Sequence, residues 1–279
     1  MGPFRQQVND LEPNMVYKYR DSQSHMSSLS NSLSLPSTPH RPTFLLAITP
    51  SYSNMSHGKQ FTLYTHISGP NGWKVASVLE ELGLTFESVF FNFQAAEQKN
   101  ADYLKLNPNG RIPTIVDHGN NDFVLWESDA ILLYLVDRYD KEKRLTVTDE
   151  REKYQLLQWL FFQSSGQGPY FGQVAWFTIY HAEKIPSAIE RYKREILRVF
   201  GVLEAVLSKQ DWLVGGKVTI ADISFATWNN LAINNLVAGF EGFDFEKDFP
   251  ATAAWHNKLL AIPSVKSVID QRAAMLQKH

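Results

Sequence analysis

Phe61-Thr-Leu-Tyr-Thr-His66, Ser68-Gly-Pro-Asn-Gly72 and Trp73-Lys-Val-Ala-Ser-Val-Leu-Glu-Glu-Leu82 follow one another early in the chain and set its architecture. The first stretch alternates like a half-buried strand. The second has the Gly, Pro and Asn of a turn. In the third, Val75, Val78, Leu79 and Leu82 fall on one helical face, and Gly83 is a natural stop. Thr85 to Phe93 returns to alternation, and a helix is expected before the next strand. Ile112 to Val116 and Phe123 to Trp126 supply two further short strands, with Asn120-Asn121 after Gly119 as their hairpin turn. Ser128 to Tyr139 is helical again. A strand-helix-strand opening implies a parallel crossover, and the closing hairpin adds an antiparallel edge.

Beyond about residue 146 the strand signals stop. Asp149 to Ser164, Ile185 to Leu207, Ala251 to Leu260 and Val265 to Leu276 all have a helical period. Thr219-Ile-Ala-Asp222 reads as a capping box that opens one more helix, with Val218 and Ile223 as its hydrophobic staple. The expected organisation is therefore an α/β domain over 60–140, a short linker near Lys141 to Thr146, and an all-helical domain over 147–279. Residues 1–59 are dense in Ser, Pro, Asn and Thr, lack any sustained period, and are expected to be a disordered tail. Asp10, Glu12 and Asp21 interrupt its basic residues, so no Arg-rich targeting face forms and a cytoplasmic protein is expected.

Composition narrows the chemistry. Lys and Arg number 27 and Asp and Glu 29 among 279 residues, a net charge of −2. Such a balance argues against nucleic acid or an anionic membrane surface as partner. The apolar run Ile131 to Val136 is far shorter than the roughly 18–20 residues of a membrane span. There is no Cys, which removes disulfides, zinc–thiolate sites and any nucleophilic thiol of the protein. Sulfur chemistry, if present, must arrive with a ligand. His66, His118 and His181 show no ligand spacing, so no metal is expected.

Asn107-Pro-Asn-Gly-Arg-Ile-Pro113-Thr-Ile-Val, Trp126-Glu127-Ser128 and Thr219-Ile-Ala-Asp222 occur in an order and spacing that resemble the glutathione transferase family. Ser68-Gly-Pro-Asn71-Gly-Trp-Lys-Val, Trp159-Leu-Phe-Phe-Gln-Ser-Ser-Gly166 and Trp212-Leu-Val-Gly215 look like motifs of its fungal class, which includes a prion-forming yeast regulator of nitrogen catabolism. The resemblance covers about residues 60–275. It implies a thioredoxin-like domain followed by the family's all-α domain, glutathione as co-substrate, a two-fold homodimer, and roles in detoxification and oxidative stress.

Glutathione carries two carboxylates, one ammonium and a thiol. By resemblance Pro113 is a cis-proline, which turns the backbone of Ile112 outward to pair with the ligand's cysteinyl unit like an added strand. Ser128 can cap the helix whose free amides would hold the γ-glutamyl carboxylate, and Glu127 offers a charge for its ammonium. By resemblance Arg111 would lie along the glycyl side or help hold the loop, and Gln98 stands where the class commonly has a basic or His contact. A free thiol, with pKa near 8.5, is only slightly ionised at neutral pH, so the site must stabilise its thiolate. Asn71 can donate an amide N–H from the first turn of a helix whose dipole favours an anion. Ser68 competes, since a serine hydroxyl serves this role in other classes. Phe162, Gln163 and Tyr170, with Gln167 and Trp176, would line the place of the second substrate, whereas Trp159 and Phe161 would serve helix packing. The expected reaction is transfer of the thiolate to an electrophile, or reduction of a peroxide or disulfide. The alternative is a non-enzymatic regulator that binds a transcription factor.

Overall fold

A four-stranded sheet of order β2-β1-β3-β4 anchors the first domain. Its strands are β1 (Phe61–Thr65), β2 (Phe86–Phe90), β3 (Thr114–Asp117) and β4 (Phe123–Trp126), in a computed structural model that describes residues 58–277. The expected disordered tail therefore lies almost wholly outside the described residues. β1 pairs parallel with β2, Phe61 opposite Phe86, and antiparallel with β3, Tyr64 opposite Thr114. β3 and β4 form the antiparallel hairpin. Three helices complete the unit: α1 (Pro70–Glu81), α2 (Ala101–Leu106) and α3 (Ser128–Tyr139). This is a thioredoxin-like domain.

Two local features differ from a plain reading of the pattern. The β3–β4 connection is wider than a two-residue turn: a 3-10 turn spans His118–Asn120, and both Asn121 and Asp122 have φ of 54°. The buried Asp117 carboxylate organises it, accepting from the Gly119 N–H (2.9 Å), the Tyr134 hydroxyl (2.6 Å) and the Tyr139 hydroxyl. In addition, α1 lies so close to β1 that a Cβ at Gly72 would stand 1.7 Å from Thr65 Oγ1. Only glycine fits there.

The second part is helical: α4 (Glu150–Phe162), α5 (Gly168–Ala175), α6 (Pro186–Leu207), α7 (Ile220–Leu231), α8 (Phe245–Asp248), α9 (Pro250–Leu260) and α10 (Pro263–Leu276). α4, α5 and α7 each run on into a π turn, over Gln163–Gln167, Trp176–Tyr180 and Ala232–Leu236. Periodicity had implied a uniform helix through Ser164. The wider turn instead brings Gln163 and Gln167 inward together, their side chains bonded at 3.0 Å. Phe161, expected to pack, is 67% exposed on the outer side. The capping box of α7 is present, with the Asp222 carboxylate also accepting from Leu213 N–H and the Trp255 indole.

The two parts share one apolar core. Val75, Val78, Ile131 and Leu135 from the first belong to the same buried cluster as Trp159, Phe171, Phe200 and Phe225 from the second. Burial of this kind contributes on the order of 25 cal/mol per Å² of apolar surface, which fixes α1 against α7 and α10.

Candidate active site

Two adjoining hollows, of about 390 Å³ and 90 Å³, share Asn71, Arg111 and Ile112 in their walls. Three chain segments meet there. Gly69 caps α1 with Pro70 as its first residue, which places Asn71 in the first turn. The Asn71 carboxamide oxygen accepts from the Trp228 indole N–H at 2.8 Å, and the Pro70 carbonyl accepts from the Thr227 hydroxyl at 2.9 Å. α7 therefore grips the start of α1 at two successive residues.

The second segment is the loop before β3. The Ile112–Pro113 peptide bond is cis, and Ile112 precedes the first paired residue of the strand, Thr114. Asn107 braces the loop by donating to the Arg111 carbonyl (2.8 Å) and Thr114 Oγ1 (3.0 Å). The Tyr103 hydroxyl donates to the same carbonyl at 2.6 Å. Gly69 faces this loop so closely that a Cβ there would meet Ile112 Cδ1 at 2.8 Å.

The third segment is the entry to α3. Glu127 is its N-cap, in the unusual backbone region φ 71°, ψ 111°, and Ser128 is the first helical residue. The expected capping bond from Ser128 is not made. Its helical backbone puts the hydroxyl out of line for the following amides, and no side chain caps this helix. The free first-turn N–H groups consequently stay available to an anion. Both α1 and α3 thus present their positive ends to the smaller hollow, and α1 borders the larger one as well.

Charge is distributed along the groove. Glu127 lines the smaller hollow; Lys99 and Gln98 line the larger one, and Arg111 belongs to both. Gln98 Oε1 is buried and without a hydrogen-bond partner among the described residues. A zwitterion with an ammonium at one end and a carboxylate at the other suits this order.

Asn71, Arg111, Ile112, Pro113, Glu127, Ser128 and Gln98 are therefore brought together. Ser68 is half-buried, donates its N–H to His66 Nδ1 at 3.1 Å, and is absent from the walls of both hollows. Phe162, Gln163 and Tyr170 are not brought to the groove either. Phe162 packs against Trp159 and Phe225, and Tyr170 lies beside Tyr192. Gln163, only 1% exposed, accepts from Lys74 Nζ at 2.7 Å, as does Asp129 at 2.7 Å. Gln167 is buried in the same network, bonded to Asn229, while Trp176 is half exposed. Burial pulls the Lys74 ammonium below the ordinary lysine range, with Asp129 opposing the shift. The aromatic-rich stretch around Gln163 and Gln167 suggested a lining; the structure instead uses Gln163 to satisfy a buried cation and Gln167 to hold Gln163.

Sequence reasoning did not find Trp228, Phe93, Lys99 or Asn107 in these walls. Asn107 had a readable signal, since Asn-Pro-Asn-Gly is turn chemistry. Trp228 had none, because its partner stands 157 residues away. Among the described residues no cluster of three His, Cys, Asp or Glu is placed to hold a metal ion. Also among them, no helix is long and apolar enough to cross a membrane.

Residues 59–137 match the family model "Glutathione S-transferase, N-terminal domain", and residues 169–263 match "Glutathione S-transferase, C-terminal domain". The chain is 49% identical over 225 residues to Glutathione S-transferase 1 of Schizosaccharomyces pombe, covering 78% of this chain and 98% of the relative. It is 36% identical over 240 residues to the transcriptional regulator URE2 of Saccharomyces cerevisiae, covering 74% and 66% respectively. The solved structure of glutathione transferase URE2P6 from Phanerochaete chrysosporium with oxidized glutathione superposes with a TM-score of 0.76 at 62% identity. That superposition covers 79% of this chain and 99% of the other.

Proposed function

The chain belongs to the glutathione S-transferase family, and on that premise we propose that it activates glutathione at Asn71 and delivers the thiolate to a small electrophile, peroxide or disulfide. It is a glutathione transferase, with glutathione as co-substrate. The observation that carries the reading of the site is the place of Asn71. It stands in the first turn of α1, in the hollows shared with the Ile112–Pro113 loop and the α3 entry.

The ligand's parts then have distinct holders. The cysteinyl backbone pairs with Ile112. The γ-glutamyl carboxylate sits on the free amides at Ser128, with its ammonium toward Glu127. The glycyl end runs toward Arg111, Gln98 and Lys99. The thiol loses its proton to solvent, and the Asn71 amide N–H and the α1 dipole stabilise the resulting thiolate. In conjugation a new S–C bond forms as the leaving group departs with its bonding electrons. The second substrate enters over the larger hollow, against Phe93 and Trp228. A two-fold homodimer in the cytoplasm is part of the same proposal.

The regulator reading rests on the 36% identity to URE2, against 49% to a named transferase. Turnover decides between them. Glutathione should be titrated into the protein, followed by assays with a halogenated aromatic, an isothiocyanate, cumene hydroperoxide and a mixed disulfide. Turnover on at least one substrate is expected; tight binding with none would point to a regulator.

A further inference from the structure

A carboxamide has two unlike ends, and Asn71 is useful to a thiolate only if its N–H2 end faces the groove. Nothing within the Asn71 side chain decides that orientation. The indole of Trp228 does: an indole N–H is a donor and never an acceptor, so it bonds the carboxamide oxygen, as the 2.8 Å contact to Asn71 Oδ1 shows. Nδ2, at the opposite end, has no hydrogen-bond partner among the described residues, and Asn71 lines both hollows. If the amide were turned over, two donors would face each other and an oxygen would face the thiolate.

The indole is itself held. Trp228 is 8% exposed, and Phe171 meets it edge-on at 6.3 Å and 86°. α5 runs past it at Gly168 and Gly172, where a Cβ on either would lie at the ordinary contact distance of 3.8 Å from the ring. The neighbouring Thr227 ties the Pro70 carbonyl to the same helix at 2.9 Å, so neither α1 nor α7 can slide without breaking a second bond. We propose that Trp228 is a positioning residue for glutathione activation, its indole N–H fixing the Asn71 carboxamide so that the amide hydrogens face the sulfur. This rests on the reading that Asn71 contacts the thiol.

The test is a double-mutant cycle on the full chain with Asn71→Ala, Trp228→Phe and the pair, read as kcat/KM against pH with chlorodinitrobenzene. Phe keeps the bulk and removes the N–H. Trp228→Phe is expected to move the acidic limb of the profile toward higher pH and to lower kcat/KM at neutral pH about three- to tenfold, the span of one hydrogen bond. Glutathione Kd measured at about pH 5, where the bound thiol is protonated, should stay unchanged, and in the Asn71→Ala background the same substitution should leave the position of the acidic limb unmoved. If Trp228→Phe does not fold, benzothienylalanine at position 228, which replaces the N–H by sulfur in the same outline, makes the same comparison. A profile unmoved by Trp228→Phe while Asn71→Ala moves it overturns the role of Trp228 alone. An equal shift of the acidic limb in both backgrounds overturns it as well. A profile that neither variant moves removes Asn71 from the thiol, and the role of Trp228 with it.

Discussion

Two modest effects add at Asn71. A helix N-terminus stabilises a nearby anion by about 0.3–1 kcal/mol, and a hydrogen bond to a charged acceptor contributes about 1.5–3 kcal/mol. In the lower half of these ranges the two would lower the pKa of a thiol held there by about one to two units, enough to take it from mostly protonated to substantially ionised at neutral pH. The close approach of the helix to the sheet depends on the next residue. With 1.7 Å between a Cβ at Gly72 and Thr65 Oγ1, Gly72→Ala must displace α1 from β1. Its expected cost is about 2–3 kcal/mol in urea unfolding, together with weaker glutathione binding as Asn71 moves. Asn71, Ile112, Pro113 and Glu127 could be brought to these hollows beforehand because the motifs that contain them resemble those of a known family. Trp228 could not: on an apolar stretch of α7 a tryptophan reads as core, and only the fold brings it to Asn71.

At the scale of elements, the entry to α3 separates two jobs that a serine at a helix start confuses. Its position in Trp-Glu-Ser reads as a cap, yet the cap position belongs to Glu127 at positive φ, a backbone choice that no residue pattern there announces. Ser128→Ala should therefore change stability by less than about 0.5 kcal/mol, where loss of a true cap costs about 1 kcal/mol. Glutathione Kd in calorimetry should nonetheless rise severalfold, because Ser128 lies in the wall of the smaller hollow. The strands and the helices α1, α3 and α6 followed from periodicity and stop signals. The π turns did not, because the spacing of Gln163 and Gln167 suits an ordinary helix equally well.

For the whole molecule, the fully buried Lys74 is a charged link between the two parts, bonded to Asp129 at the start of α3 and to Gln163 beyond α4. Lys74→Met leaves the Asp129 carboxylate buried without its cation, at an expected cost of about 3–5 kcal/mol in urea unfolding. Lys74→Met with Asp129→Leu should recover much of that loss. Stability should also depend on pH through His256. Burial pushes its imidazole down to about 4 from an ordinary 6.5. A lowered folded-state value means that the stability is present above 6.5 and is lost as pH falls through about 4. The difference amounts to about 3 kcal/mol, and His256→Leu should flatten the wild-type decline over that window. The two-part plan was readable from where strand signals stop, whereas the fusion of both parts into one core depends on contacts between residues far apart in the chain.

The most direct measurement is the ultraviolet absorbance of glutathione thiolate in the complex as a function of pH, for wild type and Asn71→Ala. The expected result is a bound thiol that ionises one to two units below its free value of about 8.5 in wild type and returns most of the way in the variant, with binding retained. The same ionisation in both proteins would contradict the assignment of Asn71 to the thiol.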